Sequence, residues 1–195
     1  MRTLPDLLRP GLDVVFVGIN PGERSARMGH YYAHPGNGFW PALSASGLVP
    51  RSVGPEDDRL LPACCGIGFT DVVKRVVTDS TTVGDAELRA AIPAFCRRIA
   101  YARPRAVCFT TTRAFGLLFP GVRAAGAWGR QPVAFDACAG REDGEALGNV
   151  EVWVMPSTSG RAAGWRDEGK RVLADLAREL GRVPAPAPLA GAPPR

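Results

Sequence analysis

The chain has 195 residues, of which 46% are hydrophobic and 22% charged, and its formal net charge is +5. This length and composition are those of an ordinary globular domain with a real core, and no apolar run approaches a transmembrane span. No signal peptide opens the sequence, so we expect a cytoplasmic protein with no membrane partner.

The first half of the chain begins with a predicted strand, Asp13–Gly18. Val14 to Val17 are apolar and mostly β-branched, which is typical of a strand buried on both faces. Gly18-Ile19-Asn20-Pro21-Gly22 then predicts a tight turn at the carboxyl end of that strand, where open α/β sheets bind ligands. After this turn we expect a long loop from Glu23 to Gly38, a helix from about Phe39 to Ser46 and a short segment from Gly66 to Asp71.

The second half alternates helices and strands. A helix is predicted over residues 85–102, with Asp85 as its N-cap and with Leu88, Ile92, Phe95 and Ile99 along one face. The further predicted elements are strands Arg105–Thr110, Gln131–Ala137 and Val150–Met155, helices Thr111–Leu118 and Trp165–Leu180, and an acidic turn Gly140–Gly148.

This alternation predicts an α/β fold, a three-layer α/β/α sandwich around a short, mainly parallel central sheet. We expect one domain over residues 1–182, because residues 183–195 are rich in Pro and Ala and are typical of a disordered tail. Only Lys74 and Lys170 among the 24 Lys and Arg residues are lysine. Such an arginine bias is typical of phosphate-binding proteins, and equally of GC-rich genomes.

Three segments carry residues suited to chemistry. The side-chain amide of Asn20 can hold a water through its oxygen and a substrate through its NH₂ group, although the turn alone is equally consistent with a plain strand-to-helix connection. Around Tyr31–Trp40, aromatic rings can stack on a flat ligand such as a base. We favour that role for Tyr32, and a core-anchoring role for Phe39 and Trp40.

The third segment, Met155–Arg161, also follows a strand and precedes a helix. Its three consecutive hydroxyls, its glycine and its arginine form a plausible phosphate cradle. A helix start capped by Ser or Thr is the commoner explanation of such a segment. The sequence has no CxxC pair and only two histidines, which argues against a structural zinc site.

Taken together, the segments Gly18–Gly22, Ala33–Trp40 and Met155–Arg161 resemble the motifs of the mismatch-specific uracil/thymine DNA glycosylases, a branch of the uracil-DNA glycosylase superfamily. The resemblance spans Val14 to Leu180. It implies a monofunctional enzyme that flips uracil, or thymine or a modified pyrimidine, opposite guanine out of DNA. The enzyme would then hydrolyse the N-glycosidic bond without metal or cofactor and so initiate base excision repair.

The resemblance further implies double-stranded DNA with G:U or related mismatches as the partner, a monomeric protein and a bacterial nucleoid as the place of the substrate. A non-catalytic protein that binds mismatches or lesions on the same fold remains the alternative. No GxGxxG fingerprint or Walker lysine supports an unrelated nucleotide-binding enzyme.

The resemblance assigns roles to the first two motifs. Asn20 would position the attacking water, and backbone N–H groups at Gly18 and Ile19 would stabilise charge on the departing base. Tyr32 would stack on the flipped base. His34 would lie at the pocket edge or near a phosphate, and a structural histidine bonded to backbone is an equally good interpretation.

In the last motif, Ser157, Thr158 and Ser159 match the segment that grips the backbone around the flipped nucleotide. Gly160 and Arg161 match the wedge that fills the vacated stack and contacts the widowed guanine. The arginine is similar to that of the thymine-processing, animal-type members, which leaves thymine activity open.

Asp71 departs from the family pattern, which has Asn or Lys at the matching position. A carboxylate there would stabilise the oxocarbenium-like transition state of glycosidic cleavage. We therefore expect Asp71 to be a second catalytic group that supplements or replaces Asn20. The alternative is a structural aspartate that caps a helix or pairs with Lys74 or Arg75.

Overall fold

The computed structural model describes residues 2–122, 128–135 and 150–182. Its strands are β1 (Val14–Gly18), β2 (Ile67–Asp71), β3 (Ala106–Phe109), β4 (Gly129–Ala134) and β5 (Glu151–Val154). Its α-helices are α1 (Glu23–Met28), α2 (Phe39–Ala45), α3 (Leu61–Cys64), α4 (Asp85–Ala102), α5 (Thr112–Leu118) and α6 (Arg166–Glu179). Short 3₁₀ turns cover Pro55–Asp57, Ser80–Thr82 and Gly160–Trp165.

The five strands form one sheet in the order β2-β1-β3-β5-β4. The first four strands in this order are parallel, and β4 is an antiparallel edge strand beside β5. The registers bring Gly18 at the end of β1 opposite Asp71 at the end of β2. The carboxyl ends of the parallel strands therefore meet at one end of the sheet, and the motifs Gly18–Gly22 and Met155–Arg161 begin there.

Successive residues of β1, β3 and β5 enter two separate apolar cores. In β1, Val14 and Phe16 pack with residues of α2 and α6, whereas Val15 and Val17 pack with residues of α4 and α5. A parallel strand with a core on both faces needs an unbroken apolar run, and Val14 to Val17 supply one. The sheet is thus covered by helices on both faces, which confirms the three-layer α/β/α sandwich with a mainly parallel sheet.

Most predicted elements agree with the structure to within two residues. The predicted apolar face of α4 is confirmed, since Leu88, Phe95 and Ile99 are buried and Ile92 packs beside them. The prediction that Asp85 is the N-cap of α4 is wrong: Gly84 occupies that position and Asp85 is the first helical residue. Its carboxylate still suits the positive end of the helix dipole.

The prediction of an unbroken loop from Glu23 to Gly38 is also wrong, because α1 forms at its beginning. Helix α1 has Glu23 in its first turn and Arg27 in its last, which suits the helix dipole, and Gly29 ends it with a left-handed φ of 77°. None of its residues is buried. It therefore lacks the apolar stripe from which helices are recognised in a sequence.

Three predictions lie wholly or partly outside the described residues: the end of the strand Gln131–Ala137, the acidic turn Gly140–Gly148 and the tail 183–195. The described part of that strand begins earlier than predicted, at Gly129. Within the described part of the chain, no helix is both long and apolar enough to cross a membrane.

Candidate active site

The carboxylate of Asp71 lies directly across the α-carbon of Gly18. A Cβ atom added to Gly18 would lie 2.2 Å from Asp71 Oδ1 and 3.9 Å from the hydroxyl oxygen of Tyr32. The first distance is far inside van der Waals contact, so only glycine fits at the end of β1. Gly18 therefore allows a carboxylate and a phenol to approach the same point at the sheet edge.

Asn20 follows two residues later and has a fixed side-chain amide. Its Nδ2 donates to the carbonyl oxygens of Pro21 at 2.9 Å and Val77 at 2.8 Å. Both donor hydrogens are therefore used within the protein, and the expectation that the NH₂ group holds a substrate is wrong. Asn20 Oδ1 is buried and has no hydrogen-bond partner, so this oxygen is the part of the amide that can accept a hydrogen bond from water.

Tyr32 lies in the loop before α2, and its hydroxyl is on the same side of Gly18 as the Asp71 carboxylate. Its ring stacks on that of Phe39, with centroids 4.2 Å apart and planes 24° from parallel. Its backbone has a φ of 53°, a left-handed conformation that is uncommon and costly for a bulky residue. Phe39 and Trp40 are buried, which confirms their predicted role as anchors of this loop.

Three buried side-chain atoms in the described structure lack a hydrogen bond of good geometry: Asn20 Oδ1, the Tyr32 hydroxyl oxygen, which has the Thr110 side chain beside it, and Asp71 Oδ2. An unsatisfied buried polar atom costs roughly 1–3 kcal/mol, so native proteins keep few of them. They all belong to residues that the sequence singled out for chemistry. This combination is typical of a site whose hydrogen bonds are completed by a ligand or a water.

Asp71 is an unusual aspartate because it is buried and forms no direct ion pair with any residue in the described ranges. Burial raises its pKa from 3.8 to about 7, Lys74 and Arg98 oppose the rise, and Asp6 adds to it. Lys74 pairs with Asp6 at 2.9 Å, and Arg75 pairs with Glu87 at 2.8 Å. The alternative in which Asp71 pairs with Lys74 or Arg75 is therefore wrong.

The helix-capping alternative for Asp71 is wrong as well. Asp71 is the last residue of β2, and the next helical segment, Ser80–Thr82, is capped by the side chain of Asp79. The burial of Asp71 thus has no structural explanation among the contacts around it.

The side chain of Arg98 in α4 forms hydrogen bonds with the main chain at Asp71. This guanidinium donates to the carbonyl oxygens of Asp71 at 2.7 Å and Val72 at 3.2 Å, and it pairs with Asp6 at 3.4 Å. Asp6 in turn accepts a hydrogen bond from Thr70 at 2.6 Å. Sequence reasoning missed Asp6 and Arg98, because no local pattern links residues so far apart along the chain.

The segment Tyr31–Trp40, here called the aromatic loop, lies against the segment Met155–Arg161, here called the serine segment. The backbone N–H of Gly38 donates to the carbonyl of Thr158 at 2.8 Å. A Cβ on Gly160 would lie 3.4 Å from the carbonyl oxygen of Gly36. The tertiary structure therefore joins the second and third motifs into one surface.

Within the serine segment, Ser157 and Ser159 are exposed and Thr158 is half-buried. The backbone N–H of Ser159 donates to Ser157 Oγ at 3.4 Å, which is a local turn of the kind found at helix starts. The helical segment that follows is the 3₁₀ turn Gly160–Trp165, and α6 begins only at Arg166. The side chain of Arg161 lies outside the described part of the structure.

His34 and Ile19 occupy the margin of the site. His34 is exposed, and its Nδ1 accepts a hydrogen bond from the Gly36 N–H at 3.1 Å, which supports the structural interpretation of this histidine. The carbonyl of Ile19 accepts from the Val73 N–H at 2.8 Å. No group of three or more His, Cys, Asp or Glu side chains in the described ranges could hold a metal ion.

We expect Gly18→Ala to disrupt the site through its new Cβ. The methyl group would displace the Asp71 carboxylate, because backbone on both strands is fixed by the sheet. Thermal unfolding should show a loss of about 1–3 kcal/mol, the usual cost of overpacking. The double variant Gly18→Ala/Asp71→Ala should recover most of this loss. A stability change in the double variant equal to the sum of the changes in the two single variants would contradict the steric explanation.

Comparison with known proteins gives two results. A family model described as "Uracil DNA glycosylase superfamily" matches residues 5–181. The solution NMR structure of a "putative Uracil DNA glycosylase" from Methanosarcina acetivorans is similar, with a TM-score of 0.54 and 22% sequence identity. The match covers 90% of this chain and 97% of that chain. At this identity the likeness shows a shared fold.

Proposed function

Because the chain belongs to the uracil DNA glycosylase superfamily, we propose that it is a monofunctional, mismatch-specific DNA glycosylase. Family membership supports a DNA glycosylase-type function, and the finer proposal concerns the substrate. The protein flips uracil, and related pyrimidines opposite guanine, out of double-stranded DNA and hydrolyses the N-glycosidic bond. Mispaired bases cost less to unstack, which itself favours mismatches.

The observation that carries this proposal is the set of three unsatisfied buried atoms on Asn20, Tyr32 and Asp71. Hydrolysis of a nucleoside needs a held water, a surface for the base and a negative charge near the sugar. An amide oxygen, a phenol ring and a carboxylate supply these three needs. The Tyr32 hydroxyl and the Asp71 carboxylate lie on the same side of Gly18, where a Cβ would contact both.

In the proposed reaction, Asn20 Oδ1 accepts a hydrogen bond from the attacking water. This bond orients the water so that the water oxygen faces C1′ of the sugar. An amide is a poor base, so its contribution is orientation. The C1′–N bond breaks, the base leaves with the bonding electron pair and water adds to C1′. The ionised Asp71 stabilises the oxocarbenium-like sugar, and its pKa of about 7 suits it to receive the proton that the water releases.

The flipped base stacks on Tyr32, whose ring is already fixed against Phe39. Backbone N–H groups at Gly18 and Ile19 stabilise the charge on the departing base. The exposed hydroxyls of the serine segment bind the DNA backbone beside the target nucleotide, and Gly160 and Arg161 fill the vacated stack opposite guanine.

A strand-cutting assay tests this function. The protein is incubated with duplexes that contain G:U, G:T or A:U pairs and with single-stranded uracil DNA, and alkali then cuts each abasic site. We expect cutting of the G:U duplex in preference to the A:U duplex. Binding of the G:U duplex without any cutting would instead support the non-catalytic lesion-binding alternative.

A further inference from the structure

Three arginines from separate parts of the chain donate hydrogen bonds to carbonyl groups of the loop that carries Tyr32. Arg24 of α1 bonds to the Ala33 carbonyl at 3.2 Å, Arg59 to the Gly29 carbonyl at 3.4 Å, and Arg166 of α6 to the Gly36 carbonyl at 3.3 Å. We call Arg24, Arg59 and Arg166 the arginine rim. The three carbonyl groups that they contact lie on both sides of Tyr32 in the sequence of the loop.

The rim differs in its charge balance from the ion-paired arginines of the surface. All three side chains are exposed, and none of them forms a salt bridge within the described ranges. By contrast, the exposed Arg75 is paired with Glu87 at 2.8 Å, and Arg171 is paired with Glu168. No carboxylate in the described ranges therefore pairs with the three rim charges.

The bonds to loop carbonyls leave most of each guanidinium available. A guanidinium has five N–H donors in a fixed planar fork, and the contact to the loop uses one of them. That contact also restricts the side chain, which lowers the conformational entropy that binding a ligand would cost. The remaining donors of a held arginine suit the bidentate recognition of a phosphate.

We propose that the arginine rim binds phosphates of the DNA strand whose nucleotide enters the site, on either side of that nucleotide. The inference rests on the proposed function, because that function places the flipped base on Tyr32. The phosphates that flank the base must then pass the loop, where α1, α6 and the turn at Arg59 supply three positive charges that pair with no described carboxylate.

The salt dependence of DNA binding tests the rim. Arg24→Gln, Arg59→Gln and Arg166→Gln are made singly and together, and the Kd is measured at several salt concentrations on an undamaged duplex and on a G:U duplex. Each lost phosphate contact should reduce the slope of log Kd against log salt by about 0.9. The single variants should therefore each lower the slope by about one, and the triple variant by about three.

Matched controls separate this result from a general effect of charge. Arg75→Gln and Arg171→Gln remove exposed, ion-paired arginines and should leave the slope unchanged. The Arg→Lys variants of the rim keep the charge and should keep most of the slope, even where the loop loses a hydrogen bond. A triple Gln variant with the wild-type slope and a lower melting temperature would show that the rim only orders the loop, and would overturn the proposal.

The salt dependence of binding to the undamaged duplex also tests the rim independently of the proposed glycosylase function. Binding to the undamaged duplex needs no excision, so a protein without glycosylase activity would still show the reduced slope if the rim binds phosphate. Conversely, a triple variant that excises uracil and retains the wild-type slope would overturn the rim alone.

Discussion

Asn20→Ala should lower the single-turnover rate of uracil excision by about 10²-fold or more, the scale of losing correct orientation of a reactant. The variant removes Oδ1, the buried acceptor that has no partner in the protein, and with it the proposed hold on the attacking water. The measurement is strand cutting of a G:U duplex under excess enzyme, so that product release does not enter the rate.

Loss of folding must be separated from loss of chemistry in this variant. Alanine also removes two hydrogen bonds, to the carbonyls of Pro21 and Val77, each worth about 1 kcal/mol. We therefore expect a lower melting temperature but unchanged affinity for a duplex with an uncleavable base analogue. An Asn20→Ala protein that excises uracil at the wild-type rate would disprove the assigned role.

Asp71→Asn is expected to have the second large effect, on both the rate and its pH dependence. Since burial raises the pKa of Asp71 to about 7, the wild-type rate should rise with pH through that value as the carboxylate forms, and then level off. The variant cannot ionise, so it should lose this rise and be slower by about 10²-fold at pH 8. If it keeps full activity while Asn20→Ala has none, Asp71 is not a second catalytic group.

The Asp71→Asn variant should be more stable than the wild type, although its excision rate is lower. Asp71 binds its proton up to about pH 7 in the folded protein but ionises near 3.8 in the unfolded chain. Between these values the folded state holds more protons, so this carboxyl group makes the protein less stable as pH rises through the window. We expect Asp71→Asn to raise the melting temperature relative to wild type, and more at pH 8 than at pH 4.

This opposition would identify Asp71 as a residue that is kept at the expense of stability. Buried groups without a partner lower the free energy of unfolding, and functional sites are where they are retained. A stabilised but slow Asp71→Asn protein therefore agrees with a catalytic carboxylate. A destabilised one would show that the carboxylate makes structural contacts instead.

The sequence predicted the framework of the site well and its connections poorly. The strand before Gly18 and the segment ending at Asp71 were both found, because apolar runs and turn residues are local signals. The alternative of an ion pair between Asp71 and Lys74 was wrong, because Asp6, far away in the sequence, pairs with that lysine. Helix α1 was missed because it buries none of its residues.

By itself, then, the sequence determined the layered fold, the order of its strands and of its helices other than α1 and α3, and the turns that follow the strands. These depend on the periodicity of apolar residues and on the conformations that Gly, Pro and Asn allow. Only the tertiary structure decided that the Asp71 carboxylate lies against the α-carbon of Gly18 and that the Asn20 amide donates to the Val77 carbonyl. It alone also decided that three arginines donate hydrogen bonds to one loop. Each of these depends on contacts between residues distant in the chain, which local patterns do not encode.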